Sequence, residues 1–345
     1  MIKRGYKKLI LMYRLGGWRV DKTVAYEQAS AVEQAASASD SATGSGQPVT
    51  WRDFVTLAKP GILISNSITV VGGFWLAAKW ELDLQTLLLL VYTLLGTISV
   101  MASGCVLNNY LDREMDTKMS RTQKRALPSG RIQPHVVLAY GVSLGVLGLL
   151  VLQFLVGSPL CALLGLIGMF VYVWIYTAWL KRSSVWSTTI GAISGAVPPV
   201  IGYCAVANQL DMAAFVLFMI LFLWQPPHFW ALGIRRKEEY RAAGFNILPV
   251  VQGSYQTKIS MMRYVVPLVP VSLMLYHFQY VGEIYLVAAL GMGLYWIYLI
   301  AKGFRAQDDE SWSKKVFFFS LIYLTFLFLV IVLDTDGVLS NLIGL

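Results

Sequence analysis

Of 345 residues, 57% are hydrophobic and 14% are charged, with a mean hydropathy of +0.60, a balance that leaves too little polar surface for a water-soluble domain of this length. The net charge of +9 would suit nucleic acid, but all but Lys79 of the 28 lysines and arginines fall in alternate gaps between apolar segments, which excludes a continuous basic face. Three cysteines, Cys105, Cys161 and Cys204, lie inside apolar segments without paired spacing, which excludes a disulfide framework or zinc site and leaves them as small packing residues.

Residues 1–50 read as a separate basic tail and linker, and residues 51–345 as one membrane domain. Met1–Val20 mixes Lys3, Arg4, Lys7, Lys8, Arg14 and Arg19 with Leu9, Ile10, Leu11, Met12 and Trp18. Its apolar run is too short for a signal-peptide core. An amphipathic helix on an anionic membrane face and a mobile basic tail both fit. Ala29–Gly46 has the Ala, Ser and Gly content of a flexible linker.

Nine apolar segments follow, at about Pro60–Ala78, Leu84–Leu107, Val136–Val156, Leu160–Leu180, Trp186–Ala205, Met212–Trp230, Tyr264–Phe278, Ile284–Ala301 and Val316–Leu333. Eight of them run 18–24 residues and Tyr264–Phe278 runs 15; apolar segments of about 20 residues cross the hydrocarbon core as helices, and the alternating ten-residue segments of a barrel are lacking. The expected fold is an all-α membrane protein with nine spans. Basic loops mark the cytoplasmic side of a bacterial inner membrane. The expected topology is therefore an N-terminus inside, a C-terminus (Asp334, Asp336) outside, and both large hydrophilic loops, after spans two and six, on the cytoplasmic face.

Span two runs into N-N-Y-L-D-R-E-M-D-T-K-M-S-R-T-Q-K-R-A-L-P-S-G, Asn108–Gly130. Asn108, Asp112 and Asp116 recur every fourth residue, so a helix turns all three toward one side. Carboxylates near a bilayer are costly unless neutralised. Oxygen-only donors suit Mg²⁺, which takes the rest of its shell from water and substrate phosphate, and the absence of thiol and imidazole argues against zinc. Arg121, Lys124 and Arg125 offer charge for further phosphate oxygens. The competing reading is a helix end whose acids pair with Arg113, Lys118 and Arg121.

The fourth span ends in Y-T-A-W-L-K-R-S-S, Tyr176–Ser184, where Lys181 and Arg182 either reach the same site or only obey the charge rule. In the fifth, G-A-V-P-P-V-I-G-Y, Gly195–Tyr203, the proline pair predicts a break, and with the flanking glycines it either lets helices approach closely or leaves a void, the competing reading being mere packing. The sixth reads L-F-L-W-Q-P-P-H-F-W, and Pro226 and Pro227 predict a break or kink with Gln225 and His228 beside it. In the loop beyond, Glu238, Glu239, Arg235, Arg236, Lys237 and Arg241 form either a second ion or phosphate surface or a solvated face. No residue-level repeat relates the two halves.

From about Trp51 to the last span, the chain resembles the intramembrane prenyltransferases of the UbiA superfamily. The motif N-x-x-x-D-x-x-x-D, with R-T-x-x-R and L-P-x-G after it, carries the superfamily likeness. W-Q-P-P-H-F, E-Y-R-A-A-G, L-P-V-V-Q-G, Y-T-A-W-L-K-R and G-A-V-P-P-V-I-G-Y are similar to the branch that farnesylates haem. The chain departs from that branch at Glu239, where many relatives carry Asp, and at Asn246, where they often carry Pro. The resemblance implies a nine-helix bundle around a cavity open to lipid, farnesyl diphosphate as donor, haem B as acceptor and haem O as product for respiratory oxidases. It implies Mg²⁺ on Asp112 and Asp116 with Asn108 assisting, diphosphate on Arg121, Lys124, Arg125 and Lys181, and acceptor contacts at His228, Gln225, Tyr240 and Glu239. The lipid bilayer and a haem A synthase are the implied partners, and nucleic acid is not one. Two rivals stay open on the residues alone: a prenyltransferase for an aromatic quinone precursor, and a transporter of an anionic metabolite.

Overall fold

The computed structural model describes residues 48–81, 83–120 and 122–344. The basic tail and most of the linker expected at 1–50 lie outside the described residues. Within Val49–Leu345, a short helix α1 (Trp51–Leu57) precedes α2 (Pro60–Ala78) and α3 (Leu84–Asp116). Next come α4 (Pro134–Leu150), extended by a π turn at Val151–Leu155, and α5 (Pro159–Phe170), extended by a π segment at Val171–Leu180 and a last turn at Lys181–Ser183. Then follow α6 (Ser187–Ala207), α7 (Met212–Arg235), the short α8 (Lys237–Ala242) and α9 (Leu248–Val251), α10 (Gly253–His277), α11 (Glu283–Gly303), α12 (Asp309–Asp334) and α13 (Val338–Leu342). Nine helices among the described residues, α2–α7 and α10–α12, are long and apolar enough to cross a membrane.

Helices that follow one another pack together, and α12 returns to pack on α2, so the bundle closes on itself. Leu87, Val91 and Leu95, four residues apart on α3, stay exposed as an apolar stripe, which is the expected face toward lipid. The opposite stripe of α3 is buried through Thr93, Thr97, Val100 and Gly104.

The spans expected from hydropathy are too short at their polar ends. α3 continues past Leu107 to Asp116, which keeps Asn108, Asp112 and Asp116 helical. α10 begins at Gly253 rather than near Tyr264 because its first turns bury polar groups against protein. Lys258 is the clearest case. Its ammonium donates to the Gly303 carbonyl oxygen at 2.8 Å, pairs with Asp309 and lies 5.0 Å from the centre of the Trp312 ring.

The expected breaks at the proline pairs do not occur. α6 runs through Pro198 and Pro199, and α7 through Pro226 and Pro227. These are the two most enclosed spans, and packing on several sides holds the helix where a missing N–H would otherwise loosen it. The contact is backbone to backbone on α2. A Cβ on Gly73 would sit 2.0 Å from the Pro199 carbonyl oxygen, and one on Gly202 would sit 2.1 Å from that of Val70. On the other side, Trp224 Nε1 donates to the Ser320 carbonyl oxygen at 2.8 Å and ties α7 to α12.

Candidate active site

The last turns of α3 bury Asn108, Asp112 and Asp116, at 4%, 2% and 8% exposure. Their partners come from other helices. Lys59, at the start of α2, donates from Nζ to Asn108 Oδ1 at 2.5 Å. Lys181, at the end of α5, meets Asp112 Oδ2 at 2.5 Å. Arg182 lies 3.8 Å from Asp112 Oδ1 and donates to the Leu111 carbonyl oxygen at 2.7 Å. Asn108 Nδ2 donates to Asp112 Oδ2 and to Thr177 Oγ1, both at 3.0 Å. Arg125, from the loop after α3, approaches Asp116 Oδ2 at 3.5 Å. The local pairing that competes with this reading is not formed by Arg113, which instead meets Glu114 at 3.6 Å and the Tyr110 carbonyl oxygen at 2.9 Å. Lys118 is exposed and makes no ion pair among the described residues, and Arg121 lies outside the described residues.

Two buried carboxylates thus face four cationic side chains, so the cluster carries a surplus of positive charge. Asp112 Oδ1 is buried without a hydrogen-bond partner. An oxygen atom left in that state is costly unless something else engages it. An oxygen-only donor set with one such atom fits a hard divalent cation, and the surplus positive charge fits a polyanion.

The π segment of α5 places the residues opposite α3. Thr177 Oγ1 donates to the Tyr172 carbonyl oxygen at 2.8 Å, five residues back, while accepting from Asn108. Lys181 follows one turn later and rests 4.5 Å from the centre of the Phe245 ring. The loop after α7 therefore closes over the end of α3. Met119, Ala243 and Phe245 form a small buried cluster against Met115 and Tyr240, and Asn246 Nδ2 donates to the Arg182 carbonyl oxygen at 2.8 Å. Asn246, the departure from the resembled pattern, uses an amide where proline would have none.

Other sequence-expected residues sit elsewhere. Lys124 is exposed and lines a cavity of about 280 Å³ with Arg125, Asp53 and Arg131, and makes no ion pair with Asp112 or Asp116. Glu239 pairs with Arg236 at 3.0 Å, and Glu238 with Arg241. Both pairs lie along one short stretch of chain and reach no residue of the α3 cluster. Gln225 is buried on α7 against Gly195 of α6, where an added Cβ would fall 1.8 Å from Gln225 Nε2. His228 is stacked between Trp224 and Phe317, each 4.6 Å away between ring centres. Its Nδ1 lies 2.7 Å from Ser320 Oγ, whose own proton goes to the Phe317 carbonyl oxygen at 2.6 Å. Ser320 therefore accepts from Nδ1–H, and Nε2 keeps its lone pair.

Sequence reading passed over Lys59, Asn109 and Thr177. Lys59 had a signal: a lysine set directly before Pro60 at the mouth of the first span. Its backbone adopts φ +57°, in the left-handed region and before a proline, a conformation disfavoured twice over and typical of functional sites. Burial holds its ammonium below the ordinary lysine range; the positive charges of Lys181 and Arg125 push the same way, while Cys105 and the Asp112 carboxylate oppose the shift without reversing it.

A multi-span helical membrane protein with a one-ended cluster of carboxylates and cations is the class these features define. The chain belongs to the UbiA prenyltransferase family, whose model matches residues 66–322, and it is a prenyltransferase. It is 51% identical over 295 residues to protoheme IX farnesyltransferase 1 of Bacillus subtilis (strain 168), covering 83% of this chain and 91% of that protein. It is 46% identical over 276 residues to protoheme IX farnesyltransferase of Acinetobacter baumannii (strain ATCC 17978), covering 80% and 93%. Among solved structures, a UbiA homolog from Archaeoglobus fulgidus bound to GPP and Mg²⁺ superposes with a TM-score of 0.59 at 16% identity, over 81% of this chain and 99% of that one. That likeness speaks to the fold alone.

Proposed function

We propose that this chain transfers the farnesyl group of farnesyl diphosphate to a vinyl group of haem B, giving haem O. The relatives named as protoheme IX farnesyltransferases support the reaction. The observation that carries the site is the pair of buried carboxylates with surplus cations, one carboxylate oxygen lacking a partner. Asp112 and Asp116, with Asn108, would hold Mg²⁺. When bound, Mg²⁺ neutralises charge on the diphosphate oxygens and makes diphosphate a better leaving group.

Lys59, Lys181, Arg182 and Arg125 bind the diphosphate, and Lys124, which shares a cavity with Arg125, and Arg121 are the further diphosphate ligands that the motif implies. As the allylic C–O bond breaks, the electron pair leaves with diphosphate, and these cations stabilise the charge that grows there. The apolar bundle interior keeps water from the allylic cation until the vinyl carbon attacks it. The new C–C bond moves the positive charge to the carbon next to the porphyrin ring. Water adds there and loses a proton, leaving a hydroxyethylfarnesyl group. His228 presents its Nε2 lone pair to the acceptor, with Gln225 beside it. Tyr240 packs at the loop that closes the site, and Glu239 orients that loop through Arg236. The cluster faces the cytoplasm of a bacterial inner membrane, as the basic loops predict, and the product passes to a haem A synthase.

The test is reconstitution of the full chain in lipid vesicles with farnesyl diphosphate and Mg²⁺, offered haem B and an aromatic carboxylic acid side by side. Mass spectrometry of the products should find farnesylated haem alone. Prenylation of the aromatic acid in preference, or substrate flux without product, would overturn the reading.

A further inference from the structure

We infer that Asn109, the neighbour of the metal-side Asn108, is a positioning residue that holds Arg125 at the site from helix α1. Asn109 is 4% exposed and points about 100° around α3 from Asn108. Its Nδ2 donates to the Leu57 carbonyl oxygen at 2.8 Å and to the Cys105 carbonyl oxygen at 3.1 Å. Its Oδ1 accepts from Arg125 at 3.1 Å, and the same guanidinium nitrogen lies 3.5 Å from Asp116 Oδ2. Both amide protons are committed to carbonyl oxygens, so the amide orientation is fixed and only its oxygen can face the guanidinium. A carboxylate here would oppose two carbonyl oxygens, and an apolar side chain would leave Arg125 without this contact.

Leu57 is the last residue of α1, whose Trp51 and Val55 stay exposed at 71% and 43%. The same short helix holds the far end of the basic loop, where Asp53 pairs with Arg131 at 2.9 Å. α1 therefore anchors the loop at Arg131 directly and at Arg125 through Asn109. A long loop cation fixed in advance loses less conformational freedom when an anion arrives.

This inference rests on the proposal that Arg125 binds diphosphate, and a double-mutant cycle separates the two. In the detergent-purified full chain, Asn109→Ala should lower kcat/KM for farnesyl diphosphate by about tenfold, the scale of one hydrogen bond to a charged group. Arg125→Ala should lower it further. The double variant should match Arg125→Ala within about twofold, because the amide has nothing left to position. If Arg125→Ala alone leaves kcat/KM unchanged, the diphosphate role of Arg125 fails. If Arg125→Ala is impaired and Asn109→Ala multiplies that loss, Asn109 acts through packing and the positioning role fails. Should Asn109→Ala not fold, Asn109→Ser carries the same cycle; if neither folds while Arg125→Ala does, the residue is structural and the inference is overturned.

Discussion

Replacing Lys181 with methionine keeps the length of the side chain and removes its charge. In the native protein its ammonium sits 2.5 Å from Asp112 Oδ2, with side-chain exposures of 14% and 3%. Breaking a buried pair from one side strands the other charge and costs about 3–5 kcal/mol. Asn108 still donates to Asp112 at 3.0 Å and Arg182 remains 3.8 Å away, so the lower end, about 3 kcal/mol, is expected. At about 2–4 °C per kcal/mol, Tm should fall by about 6–12 °C. Magnesium should reverse this more in Lys181→Met than in the native protein, because no ammonium competes for the Asp112 oxygens. A cation at a hundred times its Kd stabilises by about 2.7 kcal/mol, which nearly restores the loss. Thermal melts of both proteins in detergent, titrated with Mg²⁺ against a chelator control, measure this directly. Equal Mg²⁺ shifts in the two proteins, or none in either, would show that the cation does not bind at Asp112.

Asp112→Ala and Asp116→Ala should each reduce turnover by at least about 10²–10³-fold while the protein still inserts and purifies; near-normal haem farnesylation in either would remove the metal assignment. Lys59, whose buried ammonium loses its proton below the ordinary lysine range, should make donor KM rise with alkaline pH. Its effect on stability has the opposite sign: between the folded and unfolded pKa values the unfolded chain binds more protons, so this residue destabilises less as pH rises. Lys59→Arg, charged throughout, should flatten the KM profile, and an unchanged profile would refute the role. Gly73→Ala should destabilise by about 1–3 kcal/mol or more, since its Cβ would fall 2.0 Å from the Pro199 carbonyl oxygen; a melt equal to the native protein would show that α2 and α6 are not held at this distance.

Hydropathy and charge alternation located all nine spans because the bilayer imposes length and polarity together. They lost the polar ends. Lys258 reads as loop in a hydropathy window, yet it is buried by Gly303, Asp309 and Trp312, contacts that no local pattern displays. The proline pairs misled only in predicting breaks, for a related reason: a proline weakens an isolated helix, but α6 and α7 are held by neighbours brought from elsewhere in the chain, and the close approach expected at the fifth span is present at Gly73 and Gly202. At the site, the aspartates were legible from their spacing. Lys59 left only a faint mark, a lysine directly before Pro60, because its amine reaches Asn108 across 49 residues of sequence and its strained backbone angle does not show in a sequence. For Glu239 the sequence left an ion or phosphate surface and a solvated face both open, and what the structure adds is its pairing with Arg236, three residues away along the same chain.

The ten-residue π segment of α5 sets the rotational phase of the cation that meets Asp112. Each hydrogen bond there spans one residue more than in an α-helix, so the segment holds extra residue in the winding, a feature common at functional sites. Deleting Ala178 with the wide winding retained would swing Lys181 by up to about 100° around the axis. The span would cross the bilayer as before, with its hydropathy intact and its ammonium aimed at the wrong neighbour. In this fold, chemistry is set by angular register as much as by which residues are present, and a one-residue insertion or deletion in this segment would misplace the ammonium while leaving every carboxylate unaltered.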